Sequence, residues 1–191
     1  MEQLKTAVQQ MITITEDEMT HFLKSCFQKT FQRKEILSYP NIIPNEIFFI
    51  ESGIIRVMLQ DREGKEHTLH FALEQQFVAD YAHFMNKTPS VYALQALEPT
   101  SVVVLSRTTI EWGYQHLQEG DKLGRLIAES YFIYHDHRIQ DMYVRTPKER
   151  YDAITQVFPA IHARVPQHMI ASYLGITSVH LSRLKKQAIK V

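Results

Sequence analysis

Between Pro166 and Lys190 the chain places Ile170, Ala171, Leu174, Gly175, Ile176, Leu181 and Leu184 at the spacing of two short helices joined by a tight turn. Ala171 is small enough to let the second helix approach. Gly175 is free to take the positive φ the turn needs. Thr177 is a good N-cap for the second helix. With the apolar positions turned inward, Ser178, Val179, Ser182 and Arg183 face outward, and Lys185, Lys186 and Lys190 follow. These side chains suit duplex DNA. A helix entering the major groove meets base edges with its N-terminal residues. The fork of Arg183 can donate two hydrogen bonds to guanine, worth roughly 1–3 kcal/mol of discrimination. Lysines at Lys185 and Lys186 suit phosphates, as do backbone N–H groups near Gln167 at the start of the first helix. The same spacing also describes a helical hairpin that only packs.

Other chemistries find weaker support. The single cysteine, Cys26, excludes a disulfide framework, an all-cysteine zinc site and a four-thiolate iron–sulfur cluster. It fits a reducing compartment. His135 and His137 are two apart on a predicted helix and point to different faces, a poor metal pair. His67, His70 and His83 fall in one strand-rich region, but no carboxylate stands at matching spacing, so no metal is expected. A small β-barrel enzyme would want a His-x-His pair on a strand, and His67 and His70 are three apart. The six glycines are scattered, with no nucleophile elbow or phosphate-cradling loop. No catalytic residue is assigned.

The net charge is zero over 191 residues, yet it is unevenly spread. Residues 1–143 hold 13 basic and 19 acidic side chains, a net −6, and residues 144–191 hold 8 and 2, a net +6. A basic tail on an acidic body fits a polyanion at the C-terminal end, or a merely solvated tail. No apolar run reaches the roughly 18 residues of a membrane span, and no leader is evident at the start, so a cytoplasmic protein with no membrane partner is expected.

The elements follow from local signals. Thr15-Glu16-Asp17-Glu18 has capping-box spacing, predicting a helix near 16–25. From about Phe27 to Ser106 short strands alternate with turns. Ile55, Val57 and Leu59 alternate with Arg56, Met58 and Gln60, and Leu69, Phe71 and Leu73 alternate with Thr68, His70 and Ala72. Asp61–Lys65 is the hairpin turn between them, with Gly64 at the positive-φ position. Residues 107–117 suit a short helix. Glu119 to Tyr143 contains no proline, and Leu123, Leu126, Ile127, Ile133, Tyr134, Ile139 and Met142 recur at spacings near three and four. That predicts a helix of about 25 residues, roughly 37 Å long. It lies against the barrel on one side, and a second copy across a two-fold axis, or the core of a monomer, covers the other. Thr146-Pro147-Lys148-Glu149 starts a further helix of about 147–157.

This order resembles the Crp/Fnr family of bacterial transcription regulators. The resemblance spans nearly the whole chain. Its most specific pieces are Phe49–Val57, Asp61–Gly64 with Thr68-Leu69-His70-Phe71, and Ile170–Thr177 with Leu181-Ser182-Arg183. It implies an α+β fold: an N-terminal β-roll of the cyclic-nucleotide-binding jelly-roll kind over 1–112, a long dimerisation helix over 113–143, and an all-α helix–turn–helix domain over 144–191. It further implies a homodimer on double-stranded DNA, half-sites about one turn apart, and RNA polymerase as a further partner. The alternative is a ligand-binding or protein-interaction module with no DNA role.

Two departures qualify the resemblance. Cyclic-AMP-responsive members carry a Gly-Glu pair and, about ten residues on, an Arg followed by Ser or Thr. Here the matching positions are Ala79-Asp80 and Ser90-Val91, and no arginine occurs from Glu63 to Ser106. Burying a cyclic phosphate without a cation is costly, so cyclic AMP is not expected to bind in the usual way. No cofactor is assigned. A different effector near Ala79, Asp80, Tyr81, His83, Ser90, Val91 or Tyr92, or a sensor reduced to a scaffold, remains open. The second departure is the stop at Val191, where most members continue into a β-wing. Lys148 and Arg150 are the expected replacements for its backbone contacts.

Overall fold

The computed structural model describes residues 1–188; Lys190, expected among the phosphate contacts, lies outside them. The chain opens with two helices, α1 (Glu2–Met11) and α2 (Glu16–Lys24). The capping box forms as expected, with Thr15 accepting from Glu18 N and the Glu18 carboxylate accepting from Thr15 N. Eight strands follow: β1 (Phe27–Phe31), β2 (Ile36–Ser38), β3 (Glu46–Ser52), β4 (Ile55–Gln60), β5 (Glu66–Ala72), β6 (Phe77–Val78), β7 (Tyr92–Ala96) and β8 (Thr100–Ser106). A short helix, α3 (Tyr81–Asn86), interrupts them after β6.

The strands form two antiparallel sheets, ordered β1-β8-β3-β6 and β2-β7-β4-β5. Their shared core holds Phe48, Ile50, Val102 and Val104 from the first and Ile55, Val57, Ala72 and Leu94 from the second. The alternate residues of β3 and β8, namely Ile47, Phe49, Val103 and Leu105, join α1, α2 and the long helix in another core. Both faces of β3 are therefore covered, which is why Ile47–Ile50 reads as an unbroken apolar run. The β4–β5 hairpin turns where expected, with Gly64 at φ +78° and the Asp61 carboxylate accepting from the backbone N–H groups of Glu63 and Lys65.

After α4 (Arg107–His116) comes the long helix α5 (Gly120–Val144), 25 residues as expected. The helices α6 (Pro147–Val157), α7 (Ile161–Arg164), α8 (Gln167–Tyr173) and α9 (Ser178–Ala188) complete the described residues. The second capping box, Thr146 with Glu149 and Pro147 at the first turn, starts α6 as expected. These last helices share one core with the outer face of the second sheet: Ile54, Phe71 and Leu73 meet Phe158, Ile170, Tyr173 and Leu181. The backbone N–H of Thr68 in β5 donates to Ser172 Oγ in α8 at 2.9 Å.

Candidate nucleic-acid interface and sensor pocket

The α8–α9 pair folds as its residues dictate. Gly175 takes φ +68°, and Ile176 N donates to Ala171 O at 3.0 Å across the turn. The Thr177 hydroxyl caps α9 by accepting from His180 N at 3.2 Å. Ala171, Leu181 and Leu184 are buried between the helices. Outside, Thr177, Ser178, Val179, Ser182, Arg183 and Lys186 are exposed, while Gln167 and Lys185 are half-buried. His180, which was not singled out from the sequence, joins this exposed set. Its place one residue before buried Leu181 was the available signal.

The basic character of the C-terminal region is more local than its +6 charge suggested. Arg164 pairs with Glu74 and Glu98 of the roll. Its fork holds the Glu74 carboxyl below the usual range, and the two carboxylates raise the guanidinium. Lys148 pairs with Asp152 at 2.7 Å and Arg145 with Asp141 at 2.9 Å. Arg150, expected to stand in for a wing, instead turns inward. Its Nε donates to Leu174 O at 3.2 Å and its Nη1 to Arg145 O at 2.6 Å, capping the ends of α8 and α5. Among the described residues, Arg183, Lys185 and Lys186 enter no ion pair.

The expected effector residues do not line one pocket. Asp80 is buried and caps α3, accepting from His83 N, while its oxygens also engage His83 Nδ1 at 2.9 Å and the Ser90 hydroxyl. Ser90 is buried too, and its Oγ accepts from Tyr92 N at 2.8 Å. Ser90, at the position matched to the family's arginine, brings no cation, and its hydroxyl already donates to Asp80. Tyr131 of α5 is half-buried near Asp80 and Tyr92; desolvation first, and those two groups next, push its phenol up to about 12. Val91 points to solvent. Ala79 and Tyr81 border a different cavity.

The three roll histidines separate. His67 pairs with Asp61, His83 with Asp80, and His70 packs against α5. Among the described residues no three His, Cys, Asp or Glu side chains gather as metal ligands. His70 is buried, tilted against Tyr134 at 4.6 Å and His135 at 5.9 Å. Burial, helped by His135 and Arg138, pushes it down to about 3, so it is neutral at pH 7.

Residues 28–116 match the cyclic nucleotide-binding domain family. FixK2 from Bradyrhizobium japonicum is 14% identical, with 86% of this chain and 85% of that one aligned at a TM-score of 0.73. The c-di-GMP-responsive global regulator CLP from Xanthomonas campestris is 12% identical over 92% of each chain, TM-score 0.68. A CooA mutant from Carboxydothermus hydrogenoformans is 21% identical over 94% of this chain and 88% of that one, TM-score 0.66. The chain has the Crp/Fnr fold. No curated protein matches it in sequence. No helix among the described residues is long and apolar enough to cross a membrane. Within the Crp/Fnr fold, the expected α+β order of roll, long helix and helical C-terminal unit is present from α1 to α9.

Proposed function

We propose that this chain is a sequence-specific DNA-binding transcription regulator of the Crp/Fnr type, working as a homodimer. Residues 1–112 form its sensor roll, 113–143 its dimerisation helix and 144–191 its DNA-binding domain. One observation carries this reading: the first turns of α9 expose Thr177, Ser178, Val179, Ser182 and Arg183 over a helix–turn–helix core, with Lys186 free beside them. Arg183 reads a base edge, and Lys185, Lys186 and the α8 start near Gln167 hold phosphates. On the outer side of α5, Phe132 is 71% exposed and Ile133 and Ile139 more than half exposed, an apolar stripe suited to a second copy.

Titrating salt against binding to random duplex DNA tests the reading. Affinity should fall steeply, with a logarithmic slope of about −0.9 per phosphate contacted. A flat response would instead fit a ligand-binding or interaction module. On a selected cognate site, Arg183→Ala should cost about 1–3 kcal/mol while leaving random DNA nearly unaffected. Lys185→Ala should weaken both alike. Equal effects of the two variants on both DNAs would refute the assigned roles.

Cyclic AMP should give no micromolar binding by calorimetry. The reason is that Ser90 stands where the family's phosphate-binding arginine would, brings no cation, and has its hydroxyl taken up by the buried Asp80 carboxylate. Micromolar heat of binding would overturn this.

A further inference from the structure

The outward face of α9 is polar except at one position. Leu181 and Leu184 mark the buried side of the helix. At about 100° per residue, Val179 points within about 40° of directly away from both. It is 63% exposed. Ser182, Arg183 and Lys186 follow it at the spacing that keeps the four on one face, and all of them are exposed. Val179 is the apolar member of that face, and it stands in the first turn of α9, the turn that meets base edges when a helix enters the major groove.

We propose that Val179 reads the methyl group of a thymine in the major groove, no more than about two base pairs from the guanine that Arg183 reads. This rests on the DNA-binding reading above and adds a second base to it. Among base edges in that groove, thymine alone presents an apolar group. An isopropyl group laid on that methyl takes both out of water. Against any other base it would strip water from a donor or acceptor and return no hydrogen bond, so the same side chain selects against the alternatives. From Ser178 to Ala188 there is no Asp or Glu, and hence no carboxylate to accept from the cytosine amino group. The spacing follows from the helix: residues four apart rise about 6 Å, just under two base-pair steps of about 3.4 Å. The surroundings fix the class of partner. Arg183, Lys185 and Lys186 suit a polyanion, whereas an apolar protein surface pressed on Val179 would bury those charges without compensation.

The test starts from a duplex selected with the full chain. Each thymine is replaced singly by deoxyuridine, which keeps its base pairing and lacks only the methyl. One thymine per half-site should then lose affinity about fourfold, the worth of one buried methyl. The neighbouring guanine is located by 7-deazaguanine, whose cost should vanish in Arg183→Ala. Val179→Ser should bind the thymine and uracil duplexes alike and leave affinity for random DNA unchanged. Should that variant fail to fold, nuclear Overhauser contacts decide with the unaltered chain: the Val179 methyls must lie against that thymine's methyl. A selected site with no thymine beside the guanine, no cost of uracil, an equal cost in folded Val179→Ser, or contacts from another side chain would each overturn the assignment while salt-dependent binding to random DNA persists. Loss of that salt-dependent binding would instead overturn the regulator reading, and this one with it.

Discussion

Phe158→Ala should destabilise the chain by about 3–5 kcal/mol, the usual cost of deleting a buried phenyl ring. The ring is 1% exposed. It meets Phe71 of β5 edge-on at 5.7 Å and Tyr173 of α8 at 5.3 Å, and so joins the second sheet to the C-terminal helices. No neighbour is placed to collapse into the gap, since Phe71, Ile154, Ile161 and Tyr173 are each held by their own element. For a chain of this size the loss corresponds to a fall in melting temperature of about 10 °C. Amide exchange should rise first in α6–α9, while β3 and β8, whose core is elsewhere, keep their protection. A loss under about 1 kcal/mol would show that the roll and the helical unit are not packed together.

His70 dictates the second large effect, on acid stability. Its folded-state value near 3 lies below the ordinary 6.5. Between those values the unfolded chain binds the proton and the folded chain does not, so stability is complete above about 6.5 and falls as pH drops toward 3. Each unit removes up to about 1.4 kcal/mol. His135 and His162 are shifted down in the same direction, both chiefly by burial, and add to the fall. Urea unfolding at pH 7 and pH 5 should show wild type losing about 2 kcal/mol more than His70→Phe. Equal losses would mean that His70 is hydrated or protonated in the folded state.

Much of this architecture could be read from local chemistry. Thr15–Glu18, Thr146–Glu149 and Asp61–Gly64 each carry a start or turn signal within four residues, and each forms as read. The Ala171, Gly175, Leu181 and Leu184 positions do the same for α8 and α9. What escaped depends on distant partners. Helix α1 offers only Leu4 and Val8 as buried positions, and it is held by packing rather than by its own pattern. Helix α3 was hidden because Asp80 was matched to the Glu of the family's Gly-Glu pair, whereas its side chain caps the helix.

Strand alternation misled in β4 and β5 for a related reason. Arg56 alternates with apolar residues and reads as outward, yet it is 1% exposed. Its Nε donates to Thr68 Oγ1 at 2.8 Å and its Nη1 pairs with Glu66 at 2.6 Å. The outer face of that sheet is covered by α8, so outward does not mean wet. The α8–α9 packing was legible from its own twenty residues, but the internal neutralisation of Arg164 was not, because Glu74 and Glu98 lie far away in sequence.

Arg150 has one more implication. Only Arg145 and Thr146 separate α5 from α6, and such a short connection would ordinarily swivel. Yet Arg150 of α6 donates to Arg145 O at the end of α5 and to Leu174 O at the end of α8, which ties the long helix to the helical unit. In a pair joined along α5, both readers would keep a fixed separation and rotation. One base pair added to the spacer moves a half-site by about 3.4 Å and turns it by about 35°. A rigid caliper of this kind can follow only by deforming the duplex, so spacer length, as much as base identity, would decide which promoters it grips.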